Sequence, residues 1–164
     1  MTQQTNIIDS FKVSINNKFK EEKIEITFCE VSGLCIEYEP VSYRDGMSFL
    51  TGSMTFPGKI KPIRLILKKG LTHEIRYLIN WINERYKEWS GAALQKYNGR
   101  RRDVTITMTA TKGKTEKDKL PEICWIALNA LPVKIAVEPF QAGDDKVVIH
   151  SLELVVEKLT LLKE

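Results

Sequence analysis

The chain reads as a mainly β domain: two packed antiparallel sheets forming a sandwich or partly closed barrel, with one α-helix packed against them. Three observations point there. Apolar and polar residues alternate with period two in at least six separate runs, which turns one face of each run inward. Only one segment shifts convincingly to helical spacing. The 164 residues are 43% apolar and 28% charged, a globular composition, and the length suits a single compact domain over 1–164.

Phe11, Val13 and Ile15 alternate with Lys12 and Ser14, and Ile24, Ile26 and Phe28 with Glu25 and Thr27, predicting two strands. The second run then meets Glu30 and Ser32 on its apolar face before Leu34, Ile36 and Tyr38 resume. Gly33 at that interruption predicts a bulge, a bend or a change of strand. Residues 40–62 carry Gly46, Gly52, Pro57 and Gly58, which predict a long loop, yet also Met47, Phe49, Leu50, Met54 and Phe56. Apolar side chains on such a loop either fold back on the body as a short hairpin or are covered by another chain.

Ile63, Leu65 and Leu67 predict the next strand. After Gly70, the residues Ile75, Leu78, Ile79, Ile82 and Tyr86 fall on one helical stripe, widened by Trp81 and Trp89. Thr72 is placed to cap this helix, Glu74 lies in its first turn, and it ends before Gly91. Residues 94–99 and 111–119 read as surface connections. Val104, Ile106 and Met108 alternate with Thr105, Thr107 and Thr109, while Trp125 shares a face with Ile123 and Ala127 and is expected in the core. Pro132 is expected to start the strand of Val133, Ile135 and Val137, where its missing donor does least harm. Gly143 with Asp144 and Asp145 suits a hairpin turn. In the last run, over 147–159, Val148, Leu152, Leu154 and Val156 oppose Glu153 and Glu157, predicting a strand paired within its own subunit.

Motifs for chemistry are missing. His73 and His150 are the only histidines and neither has triad or HExxH spacing, so both are expected to be structural. Cys29, Cys35 and Cys124 form no CxxC pair and read as reduced, packed thiols without a metal. No Gly-rich phosphate cradle and no cofactor motif is present. A net charge of +4, from 25 basic against 21 acidic residues, is too mild to announce sequence-specific nucleic-acid binding. Arg100, Arg101 and Arg102 precede a strand and read as phosphate contacts, a solvated edge or intersubunit salt-bridge donors. No apolar run reaches the roughly 20 residues of a membrane helix, and the polar first six residues lack the features of a signal peptide. The expectation is a non-enzymatic β domain.

Several segments in order carry a resemblance: "FCEVSGL", then "YRDG" leading to "PGKIKPIRLILKKGLT", the helix "LINWINERY", "RRDVTITM", "CWIALNALPVKIAVEPF", and "DDKVVIHSLELVVEKLTLL". Over roughly residues 10–162 this is similar to the tail tube proteins of contractile-tailed phages and contractile injection systems, with distant kin in the tube protein of type VI secretion. The resemblance implies homo-hexameric rings stacked into a hollow tube, driven through a target envelope when a surrounding sheath contracts. It implies sheath and baseplate proteins as partners, with possible cargo in the lumen. It also implies assembly in the bacterial cytoplasm, followed by life as part of a phage tail or tail-like particle. The long loop resembles the one such subunits press on their neighbours, so the implied contact residues are Tyr43, Met47, Phe49, Met54 and Phe56, with Arg44 and Asp45 as ionic partners. Leu131 and the run Val156-Glu157-Lys158-Leu159 depart from the family pattern, leaving both the repeating subunit and a tube-initiating protein at the baseplate end open. From other classes, a β-barrel binding a small ligand and a single-stranded nucleic-acid module compete.

Overall fold

A computed structural model describes residues 8–18, 21–47, 50, 52–70, 73–84, 101–110, 123–139, 142–143 and 148–162. The described strands are β1 (Ile8–Asn17), β2 (Glu22–Phe28), β3 (Glu30–Ser32), β4 (Tyr38–Tyr43), β5 (Met54–Ile60), β6 (Ile63–Gly70), β7 (Arg102–Ala110), β8 (Ile123–Val137), β9 (Ile149–Val156) and β10 (Lys158–Leu162). One helix, α1 (Ile75–Asn83), lies between β6 and β7.

Eight strands form one bent antiparallel sheet in the order β2-β1-β7-β8-β9-β6-β3, with β10 also on β8. The bend is in β8. Its first half pairs with β7 and β10, through Ala127 opposite Val104 and Leu159, while its second half pairs with β9, through Ile135 opposite Leu152. The sheet therefore folds into two layers that share one strand, and β2 comes against β6 across the core without closing the barrel. Val13, Ile15, Ile26, Phe28, Val104 and Ile106 from one layer meet Leu65, Leu67, Leu152 and Leu154 from the other, all at most 1% exposed. At about 25 cal/mol per Å² of apolar surface removed from water, this shared interior is the main stabilising term.

Residues 129–134 show how one strand serves both layers. Asn129 has φ 54° and the backbone pairing slips between Pro132 and Lys134, so the ladder changes layer at a left-handed residue followed by a bulge. Asn129 is held there. Its N–H donates to Asp103 Oδ1 (3.1 Å), its side-chain amide donates to Glu157 Oε2 (2.8 Å), and its carbonyl accepts from Arg101 Nη1 (3.3 Å). Pro132 thus lies inside β8 and not at its start, tolerated because the bulge already interrupts the ladder.

The helix covers one side of the core with Leu78 and Trp81, both buried. Ile79 departs from the expected stripe and is 40% exposed, because the covered face turns toward Trp81. Glu74 takes the N-cap position with no side-chain cap bond; the expected cap Thr72, and Tyr86 and Trp89, lie outside the described residues. The same holds for the connections at 94–99 and 111–119 and for Asp144 and Asp145. At Gly33, where a bend was expected, φ is +87° and an added Cβ would stand 1.8 Å from the Arg64 carbonyl oxygen. Only glycine lets the chain leave β3 this close to β6. The cysteines correct the packed-thiol reading: Cys29 and Cys35 are exposed and Cys124 is half-buried, because each falls outside the buried positions of its segment.

Candidate assembly surface

The stretch expected to be a loop is a β-hairpin. Among the described residues β4 and β5 pair only with each other, making a two-stranded sheet separate from the main one. Val41 stands opposite Phe56 and Tyr43 opposite Met54, while Pro40 faces Pro57 and Ser42 faces Thr55. Alternation therefore gathers Val41, Tyr43, Met54 and Phe56 on one face. These four are 53%, 59%, 62% and 51% exposed. Gly58 lets the strands close: a Cβ there would meet the Glu39 carbonyl oxygen at 2.5 Å and a Val41 methyl at 2.7 Å. At the base, Lys61 is ion-paired with Glu37, and the Lys61 N–H donates to the Glu37 carbonyl at 2.8 Å, which ties the two legs where they leave the body.

At the tip the Met47 N–H donates to Asp45 Oδ1 at 3.0 Å, so Asp45 is used in shaping the turn. Arg44 and Met47 are exposed beside it, and Leu50 is 68% exposed. Phe49 lies outside the described residues. The hairpin thus brings together Tyr43, Met54 and Phe56 on one face, with Arg44, Asp45 and Met47 at its end. Val41 is the residue that sequence reasoning left out of this set. The signal was present in the period-two pairs Val41/Tyr43 and Met54/Phe56, but the glycines and Pro57 masked it as loop.

The arginine run is not part of this surface. Arg102 is 2% exposed: its guanidinium donates to Tyr77 Oη and to Glu84 Oε2 (3.0 Å), and lies 5.0 Å and 4.9 Å from the ring centroids of Tyr77 and Trp81. It corrects the solvated-edge and intersubunit-donor readings, because β7 turns the side chain inward under α1, where aromatic faces and a carboxylate take its charge. Burial pushes the Tyr77 phenol above its ordinary range, against the pull of Arg102. Arg101 is engaged within the subunit too, at Asn129 and, 3.7 Å away, at Glu157. Arg100 lies outside the described residues.

An isolated two-stranded hairpin is at best marginally stable in water. Among the described residues no other strand or helix pairs with the apolar face of this one, and burying each large side chain is worth roughly 1.5 to 3 kcal/mol. Its outer edges also carry the unpaired backbone groups of any edge strand. What the arrangement offers chemically is an exposed apolar surface that another surface can cover. Among the described residues no cluster of three or more His, Cys, Asp or Glu could hold a metal ion, and no helix is long and apolar enough to cross a membrane.

Residues 9–160 match the family model described as T4-like virus tail tube protein gp19. No curated protein matches the chain in sequence. In fold, the chain is similar to one solved in the sheath-tube complex of the PVC extracellular contractile injection system in its extended state. The two are 22% identical with a TM-score of 0.67, covering 98% of this chain and 93% of that one. A chain in the tube-terminating cap of the anti-feeding prophage gives 22% identity and a TM-score of 0.70 over 100% and 95% of the two chains. An Hcp protein is more distant, 15% identical with a TM-score of 0.52 over 93% and 91%.

Proposed function

The chain belongs to the T4-like virus tail tube protein gp19 family, and from that membership we propose that the whole of 1–164 is one structural subunit of the inner tube of a contractile phage tail or injection system. Six copies close a ring, rings stack into a hollow tube, and contraction of a sheath drives the tube through a target envelope. The subunit is made and assembled in the bacterial cytoplasm, where it meets sheath and baseplate proteins, and the lumen is open to cargo. The function is mechanical and needs no catalytic residue.

The observation that carries this reading is the uncovered apolar face of the β4–β5 hairpin. A neighbouring copy is the natural cover in a family of tube proteins, and a ring repeats the contact at every junction, so a modest local energy multiplies. Tyr43, Arg44, Asp45, Met47, Phe49, Met54, Phe56 and Arg100 are the proposed contact set, with Val41 added. Arg101 and Arg102 are left out of it because their side chains serve their own subunit. A ligand-binding barrel is disfavoured by the interior, which Leu65, Leu67, Val104, Ile106, Leu152 and Leu154 fill at 0% exposure.

Negative-stain imaging of the purified, concentrated protein tests the proposal. Six-fold rings or tubes are the expected result, tubes marking a repeating subunit and rings that stop at one layer marking an initiator. Monomers at every concentration would refute it.

A further inference from the structure

His150 has no place in a tube subunit's mechanical role, yet it is among the most buried polar groups of the domain. It sits on β9, opposite Lys69 of β6 on one side and Val137 of β8 on the other. It is 1% exposed, and neither Nδ1 nor Nε2 has a hydrogen-bond partner. Lys69, whose side chain is 13% exposed, is ion-paired with Glu74 at the start of α1. Among the described residues, the charged groups acting on the imidazole are therefore Lys69 from β6 and Glu74 at the start of α1, while Val137 of β8 brings none.

We propose that His150 makes the junction of β6, β9 and α1 acid-sensitive: the native packing holds only the neutral imidazole, and a proton taken up there loosens the start of α1. An imidazolium at this site would be buried without an acceptor and beside an ammonium. Among the described residues the carboxylate that acts on it is Glu74, which is already engaged by Lys69. Relief requires Glu74 to abandon Lys69 or the junction to open to water. Helix α1 carries Leu78 and Trp81 into the core and stacks on Arg102, so loosening its root weakens one side of the sandwich.

Burial and the charge of Lys69 both push the imidazole below its ordinary range. The unfolded chain then binds a proton that the folded chain refuses, so stability rises with pH through that window and falls on acidification. A group that ionises at its ordinary value only when unfolded lowers the folding constant by up to about tenfold between about pH 7.5 and about pH 5.5. Few carboxylates titrate there.

The test is urea unfolding of the full chain at those two pH values for wild type, His150→Phe and His73→Gln. Wild type and His73→Gln should lose stability on acidification, and His150→Phe should lose most of that dependence. Equal losses in all three would overturn the proposal. Should His150→Phe fail to fold, imidazole NMR of wild type decides, with His73→Gln assigning the two rings: His150 signals already protonated near neutral pH overturn it, and signals that stay neutral below the ordinary range support it.

Discussion

Two strand pairs in this chain obey the same alternation and meet opposite fates. β6 and β9 set Leu65 opposite Leu154 and Leu67 opposite Leu152, all at 0% exposure. β4 and β5 set Val41 opposite Phe56 and Tyr43 opposite Met54, all more than 50% exposed. The local pattern is the same; what differs is what lies over it. The first pair faces the other layer of its own sheet, and the second extends from the body beyond Glu37 and Lys61 and pairs with no described strand of that sheet. Alternation therefore says which face needs cover and leaves open whether the cover comes from the same subunit or the next.

The largest expected effect breaks the covered side. Leu154→Pro puts a proline in β9, a strand flanked by β6 and β8, at a fully buried position. Lost ladder bonding and ring clash should cost at least about 3 kcal/mol, enough to abolish folding. Circular dichroism and solubility report it, and a well-folded monomer would show that β9 is less central than its pairing implies.

Arg102→Leu is next. The substitution keeps bulk but removes the guanidinium donor from Glu84 and Tyr77 and the stack on Trp81. We expect a loss of roughly 1 to 3 kcal/mol, read as a lower urea midpoint. An unchanged midpoint would return Arg102 to the surface role its sequence context suggests. Replacing Cys29 and Cys35 with serine should move the midpoint by no more than about 0.5 kcal/mol, since both are exposed. A larger loss would mean that these thiols are packed in the assembled protein.

How much of this was legible follows the same division. The runs of β1, β2, β6, β7 and β9 announced themselves because each has one buried face and a period of two, and the helix because Leu78 and Trp81 must face the core together. The continuity of β8 was not legible: its left-handed Asn129 is held by Asp103, Arg101 and Glu157, partners 26 to 28 residues away. Nor was Arg102, whose acceptors Tyr77 and Glu84 lie 25 and 18 residues back. In the hairpin the composition misled, since Gly58 is there for the close approach of Glu39 and Val41 and not to make a loop. Tyr43, Met54 and Phe56 still stood out in the sequence, because large apolar side chains between glycines need a reason wherever they lie, and the structure places them together on an exposed face.

The hairpin gives the smallest expected effect on the subunit and the most direct test of its role. Val41→Ser combined with Phe56→Ser removes one opposed pair from the exposed face, where neither side chain stabilises the sandwich. Sizing chromatography with negative-stain imaging, alongside far-ultraviolet circular dichroism, should find the wild-type spectrum together with monomers in place of rings or tubes. Tubes persisting at wild-type concentration would show that the hairpin is not the clamp, and an unfolded variant would show that its apolar face belongs to the subunit's own core.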